Sequence, residues 1–184
     1  TGGNTGIGKE TAVQLAQMGA TVAITSRSTE KGAAAAADIA KRGKTSEVKV
    51  FALDLGSFAS VRACAAEVLA SFDRLDVLVN NGGAMLSKPA ETKEGFEMTL
   101  GANHLGTFLL TSLLIDRLRE AGNARVVTVG SIAHRGATGV QESDFSVPEN
   151  YKGMGAYSTS QLANILFARQ LAKPIGRTSC RGRG

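Results

Sequence analysis

Apolar positions along the chain fall into two alternating rhythms, short β-branched runs and longer stretches with a helical period. Ile7, Thr11, Leu15 and Met18 mark one face of a helix, and Gly19 ends it in the usual C-terminal position. The run ATVAITS (20–26) predicts a strand, and the alanine-rich stretch 29–42 a helix stopped by Gly43. A second strand follows at 47–53 (EVKVFAL), then a helix over 57–72 with Ser57 as its N-cap. The run LDVLVN (75–80) is apolar on both faces, as a buried parallel strand should be. A long helical pattern covers 95–120, a fourth strand 124–130 (ARVVTVG) and a last helix 156–172. An irregular stretch with Gly136, Gly139, Pro148 and Gly153 separates those last two. Strands alternating with helices of this length predict an α/β domain, a parallel sheet covered on both faces.

Composition narrows the picture little. With 184 residues, 43% hydrophobic and 20% charged, the chain suits one domain with a sizeable core. No apolar run approaches the roughly 18 residues needed to cross a bilayer, so no membrane-spanning segment is expected. The net charge of +5 raises the question of nucleic acid. Much of the excess, however, lies in Lys173, Arg177, Arg181 and Arg183, and no basic stripe interleaved with aromatics precedes them. Specific nucleic-acid binding is therefore not expected, although the closing Arg181-Gly182-Arg183-Gly184 leaves RNA association as a minor alternative. Cys64 and Cys180 have no partner at metal-ligand spacing, so Cys64 reads as a small buried hydrophobe and no metal is expected. The Met85/Met98 pair and the stripe 109–114 read as core, and His104 and His134 lack ligand partners.

Chemistry enters with the opening residues Thr1-Gly2-Gly3-Asn4-Thr5-Gly6-Ile7-Gly8, which run straight into a helix. Glycines let the backbone turn sharply and approach a ligand, and free N–H groups at a helix N-terminus attract phosphate. Such a loop normally follows a strand, and here no strand precedes it. Arg27 stands just past the second strand of such a fold, where the adenosine ribose of a dinucleotide would lie. An acid there favours NAD(H), whereas arginine pairs with a 2′-phosphate. No Asp or Glu occurs in 25–29, so NADP(H) is preferred and NAD(H) is the alternative.

Six ordered segments resemble the short-chain dehydrogenases/reductases. TGGNTGIGKETA is similar to their cofactor loop, with Gly2, Gly6 and Gly8 at the family spacing and Asn4, Thr5 and Ile7 between them. LDL at 53–55 resembles the segment whose acid, here Asp54 beside Leu55, contacts the adenine. NNGG, containing Asn80 and Gly82, resembles N-N-A-G, with glycine in place of alanine. GANHLGTFLLT is similar to the helix of the catalytic asparagine, here Asn103, and VVTVGSIAH to the strand ending in the catalytic serine, here Ser131. GAYSTSQLANILFARQLA resembles the active-site helix, with Tyr157 as the catalytic tyrosine. The wording of the last two helices is similar to the retinol-dehydrogenase-like branch, related to protochlorophyllide reductase and WW-domain oxidoreductase.

The resemblance implies a Rossmann-type doubly wound fold and hydride transfer between a nicotinamide and a carbonyl or alcohol, the substrate being bulky and apolar, such as a retinoid, steroid or lipid aldehyde. Tyr157 would exchange the proton, Ser131 would bond the substrate oxygen, and Asn103 would support a relay water. A free phenol has a pKa near 10, so only about one in a thousand is ionised at neutral pH. The family meets this with a lysine one turn later, and here that position holds Gln161. An (i, i+4) pair shares a helix face, so glutamine keeps the geometry and can bond a ribose hydroxyl. It cannot supply the charge that stabilises phenolate. Two readings stay open, a slow reduction-biased enzyme and a catalytically impaired nucleotide-binding or interaction protein.

The resemblance covers about 1–172, the expected NADP(H)-binding domain; 173–184 reads as a disordered basic tail. The family's first strand would precede Thr1 and its later strands would follow the active-site helix. Without the first, the strands at 20–26 and 75–80 should face each other across a gap. Relatives often pair through the helices carrying Asn103 and Tyr157, so a homodimer is expected by analogy. The compartment is expected to be cytoplasmic, or a membrane surface if an anchor precedes the loop.

Overall fold

The computed structural model describes residues 1–45 and 47–175. Helices and strands alternate in the expected order: α1 (Gly6–Gln17), β1 (Val22–Ser26), α2 (Thr29–Gly43), β2 (Val48–Ala52), α3 (Phe58–Ser71) and β3 (Val77–Asn80). A long rod follows, made of α4 (Met98–Leu100), a π-helical turn (Gly101–Gly106) and α5 (Thr107–Glu120). After β4 (Arg125–Thr128) come two 3₁₀ turns, Ile132–Gly136 and Glu142–Phe145, and then α6 (Gly153–Ile175).

All strand pairing is parallel. β1 lies beside β2 from Val22↔Val48 to Ser26↔Ala52, and β3 beside β4 from Val77↔Arg125 to Asn80↔Thr128. These are two separate two-stranded sheets, with β1 and β3 unpaired to each other, as the expected gap requires. Residues 1–3 lie between them. The Thr1 nitrogen donates to the Val79 carbonyl at 2.6 Å on one side, and Gly3 N–H donates to the Thr25 carbonyl at 3.3 Å on the other.

The core divides accordingly. Val13, Ile24, Ile39 and Val48 bury α1 and α2 against the first sheet. Val61, Cys64, Leu78, Leu110 and Leu114 bury α3 and α5 against the second, and Phe51 of β2 and Leu53 just after it join them. Each such aliphatic side chain contributes about 2 kcal/mol of transfer free energy. Cys64 is a buried hydrophobe as expected, and burial pushes its thiol up to about 11.

Several expectations change in detail. Gly43 belongs to α2, and the chain turns instead at Lys44, whose φ is +55°. α6 starts at Gly153, three residues before the expected 156, and continues to Ile175, beyond the expected boundary at 172. Met85 is not core: it is 53% exposed. Met98–Glu120 is long and apolar enough, by length and composition, to cross a membrane, which the sequence expectation had excluded. Half of its most apolar window is buried, and Leu110, Leu114 and Leu118 pack into the second core, which is what a central helix of a folded domain does. Cys180 and the arginines of the expected tail lie outside the described residues.

The π turn inside the rod was not expected. Gly101 has no room for a β-carbon against Thr92, nor Gly106 against the Leu55 carbonyl, so the rod lies hard against its neighbours there. The widened turn leaves the Asn103 carbonyl to accept from Asn164 Nδ2 of α6 at 3.1 Å. Glu97, fully buried, caps the rod by accepting from Thr99 and Leu100 N–H at 2.8 and 2.6 Å.

Candidate cofactor and active site

Three helices start beside the sheets, and they start differently. α2 and α3 are each capped by a serine, Ser28 accepting from Lys31 N–H at 3.2 Å and Ser57 from Ser60 N–H at 3.4 Å. At α1 the N-cap residue Thr5 makes no side-chain capping bond, and no acid sits in the first turn. Its first N–H groups therefore face outward with the positive end of the helix dipole behind them. Gly6 has φ +53° and open space where a β-carbon would be. Gly8, buried below, has none, because Asn81 Nδ2 and the Gly2 carbonyl would each lie 2.5 Å from such a carbon.

Above this turn opens a cavity of about 490 Å³. Gly2, Asn4, Thr5, Gly6 and Ile7 form its floor, and Ile7 is 72% exposed into it. Arg27 stands on a second wall, and Asp54, Leu55 and Gly82 on a third. Gly82 is held there because its N–H and that of Asn81 both donate to Thr1 Oγ1, at 2.8 and 3.1 Å. Asp54 Oδ1 accepts from Gly56 N–H at 3.0 Å, which turns the chain after β2. Lys31, which the sequence reading missed, joins Arg27 on its wall. Its signal was available, since it lies four residues after Arg27 in the first turn of α2. Among the described residues neither cation forms an ion pair, unlike Lys9 and Arg42 of the same layer, which are paired with Asp38 and Glu10. An uncapped helix turn, a glycine cradle and two unpaired cations fit a phosphate-bearing dinucleotide.

A second cavity of about 430 Å³ adjoins the first through the shared residues 81–84. Tyr157 and Gln161 of α6 line it together, with Asn80 and Asn103 across from them in sequence. Gln161 is only 6% exposed, so a neutral carboxamide occupies this buried position. Asn103 is bonded on both ends of its side chain. Oδ1 accepts from Ala84 N–H at 2.8 Å, while Nδ2 donates to the Ala84 carbonyl at 2.8 Å and to Ser160 Oγ at 3.1 Å. Asn80 Nδ2 donates to Thr111 Oγ1 at 2.9 Å, whose own proton goes to the Thr107 carbonyl at 2.8 Å. That fixes the amide orientation and leaves Asn80 Oδ1 buried without a partner among the described residues.

Ser131 is not among the residues lining this cavity, although Gly130 beside it is. Its hydroxyl accepts from Ala133 N–H at 3.2 Å and so caps the 3₁₀ turn Ile132–Gly136. His134 is tied locally, its Nδ1 donating to the Ser131 carbonyl at 2.7 Å. Asn164 was missed by the sequence reading. It lies three residues past Gln161 on the same face, lines the cavity, and links Asn103 to His104, whose Nδ1 lies 3.2 Å from Asn164 Oδ1.

A family model described as short chain dehydrogenase matches residues 1–181. The chain belongs to the short-chain dehydrogenase family. Within it the chain sits with the retinol-dehydrogenase-like branch. It is 47% identical to retinol dehydrogenase 12 of Homo sapiens, over 97% of this chain and 56% of that protein. It is 46% identical to dehydrogenase/reductase SDR family member 13 of Bos taurus, over 97% of this chain and 47% of that protein. The chain thus spans about half the length of the curated relatives it matches. Among solved structures, an uncharacterised protein of Mycobacterium paratuberculosis superposes with a TM-score of 0.80 at 40% identity, covering 95% of this chain and 60% of that one. RhlG of Pseudomonas aeruginosa, solved as an NADP active-site complex, gives 0.75 at 28% identity, covering 95% and 64%.

Proposed function

We propose that this chain is an NADP(H)-dependent oxidoreductase that moves a hydride between a nicotinamide and the carbon of a bulky apolar alcohol or carbonyl. The observation that carries this reading is the first cavity, where the uncapped turn of α1 faces Arg27 and Lys31, which form no ion pair among the described residues. The helix turn would hold the pyrophosphate, and the two cations a 2′-phosphate that NAD(H) lacks. Asp54 would meet the adenine, and residues 80–82 would lie along the cofactor between the cavities. When bound, the nicotinamide supplies or accepts the hydride. The protein's own part is the proton: Tyr157 gives it to a carbonyl oxygen on reduction and takes it on oxidation. Asn103 acts by holding Ala84, and thus one wall of the cavity, in place. Ser131 accepts from Ala133 N–H through a lone pair, so its hydroxyl proton would remain to be donated to a substrate oxygen.

Fluorescence titration with NADPH and NADH tests the reading. Tighter binding of NADPH supports it, and equal or absent binding of both by the folded chain defeats it. A second reading is favoured by Gln161. A buried carboxamide beside Tyr157 leaves the phenol without a stabilising cation, so the chain would bind the dinucleotide and turn over slowly or not at all. Initial rates of aldehyde reduction by the unaltered chain with NADPH bound separate the two, since the first reading requires turnover and the second predicts little or none. The aromatic face of Phe108 and Phe167, ring centroids 5.1 Å apart, would serve a homodimer; sedimentation showing a monomer at assay concentration would remove that part.

A further inference from the structure

The cavity beside Tyr157 has a wall that proton and hydride transfer leave unused. Met85 and Met154 both line it, and they are 53% and 59% exposed. Two large apolar side chains left to water at one cavity mark a surface made to be covered.

Their backbones are held firmly while their side chains are not. Ala84, before Met85, exchanges two hydrogen bonds with the Asn103 carboxamide. Leu86, after it, accepts from the Tyr151 hydroxyl at 3.2 Å, and that hydroxyl lies 3.2 Å from both Glu97 Oε1 and Thr99 Oγ1 at the buried start of the rod. Gly153 has no room for a β-carbon against the Leu86 carbonyl, so α6 begins seated on this same segment. Met154 follows directly. A loop and the first turn of α6, distant in sequence, therefore bring two thioethers to one opening through contacts made by their neighbours' backbones. Methionine is unbranched and polarisable, and it adapts to apolar shapes that a branched side chain would reject.

We propose that Met85 and Met154 are specificity-determining residues that grip the apolar body of a long-chain or polycyclic alcohol or carbonyl, with its oxygen directed to Tyr157. This rests on the hydride-transfer reading of the site. Small or polar substrates would leave both side chains wet and gain nothing from them.

Methionine-oxidation footprinting of the full chain tests this without requiring turnover. The chain, saturated with NADPH, is treated with dilute hydrogen peroxide in the presence of 1-decanol or ethanol, and each methionine is followed by peptide mass spectrometry. Met18, the 81% exposed C-cap of α1, is the internal reference. Decanol should slow oxidation of Met85 and Met154 together by roughly fivefold, because susceptibility follows exposure. Ethanol should not, and Met18 should oxidise equally in all arms. Unchanged rates, protection of one methionine only, or protection that follows protein concentration rather than decanol would overturn the proposal. Failure of NADPH to bind in the same sample would count against the parent reading alone, because joint protection by decanol would still establish the grip. Where turnover is measurable, Met85→Ser with Met154→Ser should raise KM for an apolar aldehyde roughly tenfold, leave the NADPH Kd unchanged, and be rescued by leucine at both positions.

Discussion

The two adjoining cavities are built from different materials. The one over α1 is made mostly of backbone: an uncapped helix turn, a glycine with φ +53° and a loop held by Thr1. The one beside α6 is made of side chains, Tyr157, Gln161, Asn103 and Asn164, projected from a helix and a π turn. A backbone site tolerates most substitutions around it and fails only where a side chain enters the cradle. A side-chain site keeps its shape when one residue is exchanged and can lose its chemistry in that single step. On the proposed reading Gln161 is such an exchange, since Tyr157 and the rest of the wall remain in place around it.

Placing a carboxylate in the cradle should break the first cavity most completely. Gly6→Asp finds open space, so the fold should survive at a strain of about 1 kcal/mol, while the new charge meets the incoming phosphate. NADPH affinity should fall about a hundredfold with an unchanged far-ultraviolet circular dichroism spectrum. Retained affinity would mean that the phosphates lie elsewhere. Arg27→Ala is gentler, removing one charge-assisted contact and costing NADPH roughly tenfold or more while NADH changes little. If both cofactors weaken alike in parallel titrations, Arg27 reads backbone phosphate rather than the 2′ position.

The second cavity should respond to Gln161→Lys in the opposite sense, by gain. A cation one turn from Tyr157 would favour the phenolate that takes the proton, and alcohol oxidation near neutral pH should rise about tenfold. Reduction should change less, because neutral tyrosine already carries the proton it must give. Initial rates in both directions with one substrate pair decide this; equal gains in both would show that lysine acts by binding the ribose and not through the phenol.

Legibility in the sequence followed the same division. The glycine spacing, Arg27, Asp54 and the strand–helix alternation are local patterns, and the structure brings those residues to one cavity. The serine caps of α2 and α3 lie at the first residue of a helical period, and Ser57 was readable for that reason. The π turn was not, because its residues keep the apolar rhythm of the helix around them. Only Gly101 and Gly106, five apart within a helical stretch, hint that neighbours press close there. Met85 was expected inside because methionine usually is, but its exposure is set by contacts of Ala84 and Leu86 with residues far along the chain. Ser131 shows the same limit, since its part in capping a 3₁₀ turn depends on how the chain bends after β4.

The smallest expected effect concerns how the second cavity is held. Asn164 Nδ2 donates to the Asn103 carbonyl, so its Oδ1 is the acceptor that faces His104 Nδ1 at 3.2 Å, and that nitrogen carries the proton. The His104 ring also packs against Phe108 and Phe167, with centroids 6.2 Å away in each case. Burial pulls the imidazole below its ordinary value of 6.5, and the bond to Asn164 offsets this only in part. The folded protein thus resists a proton that the unfolded chain accepts. Stability from this group is complete above about pH 6.5 and declines as pH falls through the interval down to the folded value, where the unfolded state binds more protons. Urea unfolding of wild type and His104→Gln across this range isolates the contribution, because carboxylates and chain ends cancel in the difference. The two stability curves should converge as pH falls below 6.5; a constant offset would mean that His104 holds the turn by packing alone.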